Sequence, residues 1–174
     1  MRTVTRPRTA SQKTRTPFEG VPLVLRPGGH ILVIGAGSVG LRKCQRLVRT
    51  GVPVWLVDRV VPRAIPARIH FVQAEVTPTN LKQLLRGAGL VVAATNDPKL
   101  NAAVGKACLR AHLLVDVVTE PSLGNVIMPA VSRQGPVMVA ISTSGTDPRL
   151  ARKLRKIVDD ELPAWIRKAR EQGQ

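Results

Sequence analysis

One continuous segment, His30–Asp58, limits the folds open to this chain more than any other: HILVIGAGSVGLRKCQRLVRTGVPVWLVD. It reads as an apolar strand, a complete Gly-x-Gly-x-x-Gly turn, a helical stretch, a second apolar strand and a terminal acid. The glycines are Gly35, Gly37 and Gly40, and Asp58 lies 23 residues beyond Gly35. Glycine-rich turns alone are common, but here every flanking element is the one a dinucleotide site needs. Gly35 permits the tight turn, Gly37 lets backbone approach a pyrophosphate, and Gly40 lets helix and strand pack closely. Free N–H groups at the helix start then face the phosphates. The turn residues Gly35, Ala36, Gly37, Ser38, Val39 and Gly40 are therefore expected around the pyrophosphate. Asp58, followed by Arg59 and Val60, is expected at the adenosine ribose. The acid favours NAD over NADP, and Arg59 leaves room for a 2′-phosphate.

The rest of the chain continues the pattern. Val21–Leu25 (VPLVL) reads as a short strand before a Pro27-Gly28-Gly29 turn. A helix over 38–50 is stopped by Gly51. Strands follow at 54–58, 69–72, 90–94 and 113–118, with helices at 79–86 and from Pro98 to about Arg110. Leu90–Ala94 is uninterruptedly apolar, as in a parallel sheet covered on both faces. Alternating strands and helices imply an α/β fold, a doubly wound parallel sheet of Rossmann-like type. Ligands then gather beyond the carboxyl ends of the strands, which adds Thr95 and Asn96 to the cofactor set.

From Thr119 the character changes to a small α+β segment. Asn125–Val131 and Pro136–Ser142 resemble strands joined by a Ser132–Gly135 turn. A polar loop, Ser142–Thr146, leads to Asp147 as helix cap and Pro148 in the first turn. Leu150, Leu154, Ile157 and Val158 form an apolar stripe, and Arg155–Asp159 and Lys156–Asp160 are four-apart ion pairs. Such a segment cannot bury itself alone and needs the sheet domain, a second subunit, or both. Three regions result: a disordered basic tail over 1–17, a dinucleotide-binding domain over 18–118, and a small α+β segment over 119–174 that ends in a helix.

Charge needs its own explanation. The net charge is +16, and the acid-free tail contributes five of its basic residues, Arg2, Arg6, Arg8, Lys13 and Arg15. The tail's composition is similar to that of an organelle transit peptide but lacks an amphipathic helix. An excess of this size attracts polyanions. Nucleic acid is disfavoured, because the chain has two Phe, two Trp and no Tyr for base stacking and no recognised nucleic-acid motif. A small polycarboxylate substrate accounts for the charge equally well, and so do ordinary solvated faces. Cys44 and Cys108 have no ligand spacing and read as buried thiols in a reducing cytoplasm. No apolar run is long enough to cross a membrane. The three histidines, His30, His70 and His112, stand at unrelated spacings and read as structural, with no metal site.

Taken together, several blocks make the chain resemble the siroheme synthase amino-terminal domain family, the precorrin-2 dehydrogenases and sirohydrochlorin ferrochelatases. The blocks are VPLVL, VIGAGSVGLRK (Val33–Lys43), VVAATNDPKLN (Val91–Asn101), DVVTEPSLGNVIMPA (Asp116–Ala130), VMVAISTSGTDPRLAR (Val137–Arg152) and ELP (Glu161–Pro163). They span residues 21–163, and the AISTSGTDPRLAR block is the most specific. The resemblance implies NAD-dependent oxidation of precorrin-2 to sirohydrochlorin by a homodimer, with iron insertion in some members, and makes 119–174 the dimerisation and substrate segment. It also implies that Asn101, Asn125, Ser142, Thr143, Ser144 and Arg152 meet the tetrapyrrole's carboxylates. Capping and ordinary surface roles stay open for these residues. Where the family carries its catalytic Asp after strand five, this chain has Thr119. Two carboxylates stand nearby. Alternation along a strand sets Asp116 on the face away from Thr119, so Glu120 is the better-placed substitute. The alternative is a catalytically diminished member that binds NAD or a tetrapyrrole as carrier, sensor or assembly partner. Eleven residues follow Pro163, where relatives add a larger helical segment.

Overall fold

A computed structural model describes residues 20–172; the basic tail read over 1–17 lies outside them. Five strands, β1 (His30–Ile34), β2 (Val54–Asp58), β3 (Ile69–Gln73), β4 (Ala88–Ala93) and β5 (Leu114–Val117), form one parallel sheet in the order β3-β2-β1-β4-β5. The switch from β1–β2 to β1–β4 opens the crevice in which such sheets hold ligands. Helix α1 (Ser38–Leu47), continued by a 3₁₀ turn over Val48–Thr50, covers one face; α2 (Pro78–Leu84) and α3 (Pro98–Arg110) cover the other.

The two cores follow from strand alternation. Ile31 and Val33 point to the α1 face with Cys44, Leu47, Val54 and Leu56. Leu32 and Ile34 point to the opposite face with Val91, Val104, Cys108, Val115 and Val117. Each fully buried aliphatic side chain of this kind contributes about 1.5–3 kcal/mol. Both cysteines are buried free thiols, and desolvation raises Cys44 to about 11 and Cys108 to about 12. Helix starts obey capping rules. Thr77 and Asn80 form a capping box on α2, and the Asp97 carboxylate accepts from the N–H groups of Lys99 and Leu100 on α3.

After β5 come β6 (Ala130–Gln134) and β7 (Val137–Ile141), an antiparallel pair, and α4 (Pro148–Glu171), which packs on that pair. Three expectations need correction here. Val21–Leu25 forms no strand, and Val21, Leu23 and Val24 are 79%, 79% and 84% exposed. A strand needs a ladder partner for its N–H and C=O groups, and none of the described strands pairs with it. The first strand of the hairpin also starts five residues later than expected. Asn125 and Val126 donate their backbone N–H groups to the Val115 carbonyl at 3.0 and 3.1 Å, so this stretch is committed to β5. Ser132 consequently sits inside β6, opposite Val139, and the turn shrinks to Gly135-Pro136. Among the described residues the Arg155–Asp159 pair forms and the Lys156–Asp160 pair does not. No helix among them is long and apolar enough to cross a membrane.

His30, at the start of β1, stacks on Trp55 with ring centroids 4.5 Å apart, and its Nε2 is buried without a partner. Burial lowers its pKa below the usual 6.5. A depressed folded value contributes stability that is present above 6.5 and is lost as pH falls through the folded value. Urea midpoints should therefore fall between about pH 7 and about pH 5, and His30→Phe should flatten that fall. An unchanged slope in the variant rejects the assignment.

Candidate cofactor and substrate cavities

The crevice at the strand ends holds two cavities separated by the first turn of α1. The first, about 660 Å³, is lined by Ile34–Gly37, Val57–Val60, Pro62, Ala74–Val76, Ala94–Asp97 and Leu100. Its geometry follows from the glycines. Gly35 has φ +106°, and a Cβ there would lie 2.6 Å from the Ala94 carbonyl oxygen. A Cβ on Gly40 would lie 1.9 Å from the Gly35 oxygen, so α1 starts directly against the turn. Gly37 is different: its added Cβ meets nothing nearer than Asn96 Oδ1 at 3.9 Å, which leaves open space over the loop. No side chain caps α1, and no acid stands in its first turn. Its leading N–H groups and positive dipole end are therefore free for an anion. These features fit a dinucleotide pyrophosphate.

Asp58 closes one side of this cavity. Its Oδ2 accepts from the Ala36 N–H at 2.6 Å and its Oδ1 from the Val60 N–H at 3.0 Å. The acid thus ties the glycine loop to the end of β2 and keeps further acceptor capacity toward the cavity. Arg59 and Val60 line the same wall, as do Thr95 and Asn96. The sequence reading missed Pro62 and the Ala74–Val76 loop, because loop positions carry no periodicity. Ser38 and Gly40 lie in α1 but line neither cavity, and Val39 faces the second one.

That second cavity, about 550 Å³, lies between α1, the end of β5 and the β7–α4 loop. Its wall includes Val39, Arg42, Lys43 and Arg46 from α1, and Ala151, Arg152 and Arg155 from α4. Burial, and then the neighbouring Arg155, Arg42 and Arg49, push the Arg46 guanidinium down from its usual value. Ser142 and Thr143 line this cavity; Ser144 does not. The Ser142 hydroxyl accepts from the Ser144 N–H at 3.0 Å, and Thr143 Oγ1 from the Asp147 N–H at 3.2 Å, so part of their capacity goes to shaping the loop. Arg152 lines the cavity and donates from Nε to the Pro148 carbonyl at 3.2 Å.

The two asparagines lie elsewhere. Asn101 is fully buried on α3; its Oδ1 accepts from the Thr95 N–H and hydroxyl at 3.1 and 2.7 Å, and its Nδ2 donates to the Thr95 carbonyl at 3.0 Å. Asn125 accepts from the Val115 N–H at 2.7 Å and donates to the Leu113 carbonyl at 3.1 Å. Neither lines either of these two cavities.

The candidate bases separate along β5. Thr119 lies on the α3 side, within 3.4 Å of Asn101 Nδ2. Asp116 points to the α1 side, is 5% exposed, and lines the second cavity. Its Oδ2 accepts from Lys43 Nζ at 2.6 Å, and Lys43 also lies 3.7 Å from Met128 Sδ. Glu120 is exposed, accepts from the Ser122 hydroxyl at 3.3 Å, and lines neither cavity. The strand's alternation is as expected. What the sequence did not reveal is that the face away from Thr119 is itself a cavity wall. One signal was available: Val39, Arg42, Lys43 and Arg46 share one helix face at three- and four-residue spacing.

Comparison with known proteins agrees with this geometry. Residues 26–130 match the family model NAD_binding_7, described as NAD(P)-binding. Siroheme synthase 1 of Pectobacterium atrosepticum is 39% identical over 137 residues, covering 78% of this chain and 28% of that protein. Siroheme synthase of Gluconacetobacter diazotrophicus is 34% identical over 151 residues, covering 83% of this chain and 32% of that protein. The chain thus spans about a third of the length of these relatives. Among solved structures, SirC, a precorrin-2 dehydrogenase, superposes with a TM-score of 0.61 at 23% identity, over 81% of this chain and 71% of that one, a likeness of fold.

Proposed function

The chain belongs to the siroheme synthase amino-terminal domain family, and from that membership we propose that it oxidises precorrin-2 to sirohydrochlorin with NAD. The observation that carries the reading is the pairing of two cavities across the start of α1, one built for a pyrophosphate and one walled by arginines. A dinucleotide bound in the first would supply the hydride acceptor. The glycine turn and the free α1 N–H groups would hold its phosphates, and Asp58 its ribose. A substrate rich in carboxylates suits the second cavity, where Arg42, Arg46, Arg152 and Arg155 supply positive charge and Ser142 and Thr143 supply hydroxyls. The test is turnover of precorrin-2 by the purified chain with NAD and NADP in parallel. No conversion, with NAD binding intact, would reject the activity and leave the carrier or sensor alternative.

The active form in this reading is a homodimer. On α4, Leu150, Leu154, Ile157 and Trp165 remain 39–57% exposed although they belong to an apolar stripe. A second copy of the same face gives that stripe a place to bury, and the exposed Val21–Leu25 segment adds to the apolar surface.

NAD is the preferred dinucleotide in the proposal, because a 2′-phosphate would face the Asp58 carboxylate. Asp58→Ala is expected to weaken NAD about tenfold or more, since charge-assisted hydrogen bonds contribute roughly 1.5–3 kcal/mol. NADP should suffer less, with Arg59 beside it. The check is the ratio of kcat/KM for the two cofactors, and a ratio unmoved by the substitution contradicts the role given to Asp58.

A further inference from the structure

We infer that Asp116 and Lys43 together form the proton-accepting unit of this site, with Asp116 as the base and Lys43 as the residue that positions it. This rests on the dehydrogenase reading above. Two residues past β5 stands Thr119, whose hydroxyl is a poor base and whose side chain lies against Asn101 on the α3 side. A carboxylate three residues earlier faces the other way, into the arginine-lined cavity, and among the described residues it is the one carboxylate that lines that cavity. It is not loose there. The β5 backbone fixes its Cα, because Asp116 pairs with Val92 in the ladder, and the Lys43 ammonium fixes its Oδ2 at 2.6 Å.

Lys43 is well suited to this work. It sits one turn beyond Val39 on the α1 face that meets the cavity, and its side chain is 18% exposed. Besides Asp116, its recorded contact is the Met128 sulfur at 3.7 Å, a weak acceptor. An ammonium carries more donors than those contacts use, so one remains for a substrate carboxylate entering the cavity. The pair is also close to the dinucleotide cavity. α1 begins at the glycine turn of the dinucleotide cavity and reaches Lys43 within its first two turns. The step balances simply. One ring C–H bond leaves as hydride to the oxidised dinucleotide, which becomes reduced. A neighbouring C–H gives its proton to Asp116, and its electron pair stays behind as the new double bond. The proton then passes to solvent through the cavity mouth.

The experiment measures precorrin-2 oxidation by the full chain with NAD. Each variant is also followed by NAD titration and thermal melting. Asp116→Asn preserves shape and an acceptor for Lys43; it is expected to lower kcat by about 100-fold or more, with NAD affinity and melting close to wild type. Lys43→Met is expected to lower kcat by at least about tenfold with KM for NAD little changed, because the ammonium that holds the carboxylate in place is gone. The charges facing the carboxylate across this cavity are Lys43, Arg42 and Arg46 on α1 and Arg152 and Arg155 on α4. Lys43→Arg should recover most of the rate. Wild-type protein that does not oxidise precorrin-2 sinks the dehydrogenase reading and this inference with it. Active wild type with Asp116→Asn within about threefold of it, or with Glu120→Gln carrying the large loss instead, overturns the inference alone. Losses that merely track lowered melting or lost NAD binding, or a Lys43→Met loss that Lys43→Arg does not rescue, also overturn it, since they mark a structural ion pair.

Discussion

Gly40→Ala is expected to lose dinucleotide binding and much of the domain's stability together. The new Cβ would lie 1.9 Å from the Gly35 carbonyl oxygen, a backbone atom with no rotamer through which to yield. Either α1 moves away from the sheet or the turn deforms, and the helix start leaves its place over the phosphates in both cases. Overpacking of a well-packed site costs about 1–3 kcal/mol, and a backbone clash belongs at the top of that range. NAD affinity should fall about 100-fold or more, equivalent to roughly 2.7 kcal/mol. Gly37→Ala makes the contrast. Its φ of −69° suits any residue and its Cβ meets only Asn96 Oδ1 at 3.9 Å. The fold should melt as before, while the methyl group occupies space the pyrophosphate needs. Calorimetric NAD titration and thermal melting of both variants check the pair. A Gly40→Ala protein with wild-type melting would refute the close contact between α1 and the turn.

Asn101→Ala is expected to cost about 3 kcal/mol of folding stability, a loss read as a lowered urea midpoint. Asn101 is completely buried and makes its bonds to Thr95 through the backbone N–H, the backbone carbonyl and the hydroxyl. Removing it strands the half-buried Thr95 N–H without its partner, and each unmet buried group costs about 1–3 kcal/mol. Because Thr95 lines the dinucleotide cavity, NAD binding should weaken as well, by several-fold. Asn101→Asp keeps the acceptor and loses the donor, so its stability should fall between the two. Stability unchanged in the alanine variant would show that the Thr95 loop holds itself.

The central architecture was legible because its signals are local. Apolar runs bounded by Gly and Pro mark parallel strands, and Asp97-Pro98 and Asp147-Pro148 mark helix starts, whatever surrounds them. The errors have a common cause, that a strand exists only through its neighbour. Val21–Leu25 has a strand's composition but no ladder among the described strands. Asn125–Val126 has one too, yet gives its N–H groups to Val115, and the hairpin starts only at Ala130. The site divides in the same way. The glycine turn was readable because each glycine has a distinct steric task within a few residues. The resemblance alone names Asn101 and Asn125 as substrate residues; their hydrogen-bond partners, Thr95 for one and Leu113 and Val115 for the other, are contacts a linear reading does not display.

The sequence by itself determined the sheet, the glycine turn and the acid at the end of β2, since all three depend on residue type at short fixed spacing. It also determined the alternation that sends Asp116 and Thr119 to opposite sides of β5. Only the tertiary structure decided what each side contains. Lys43 and Asp116 are 73 residues apart and meet at 2.6 Å because α1 lies across the face to which Asp116 points. The arginines of α1 and α4 share one cavity because the chain after β5 folds back over α1. Helix placement over a sheet comes from burying apolar faces against each other, and that packing brings together side chains whose separation in the chain carries no signal.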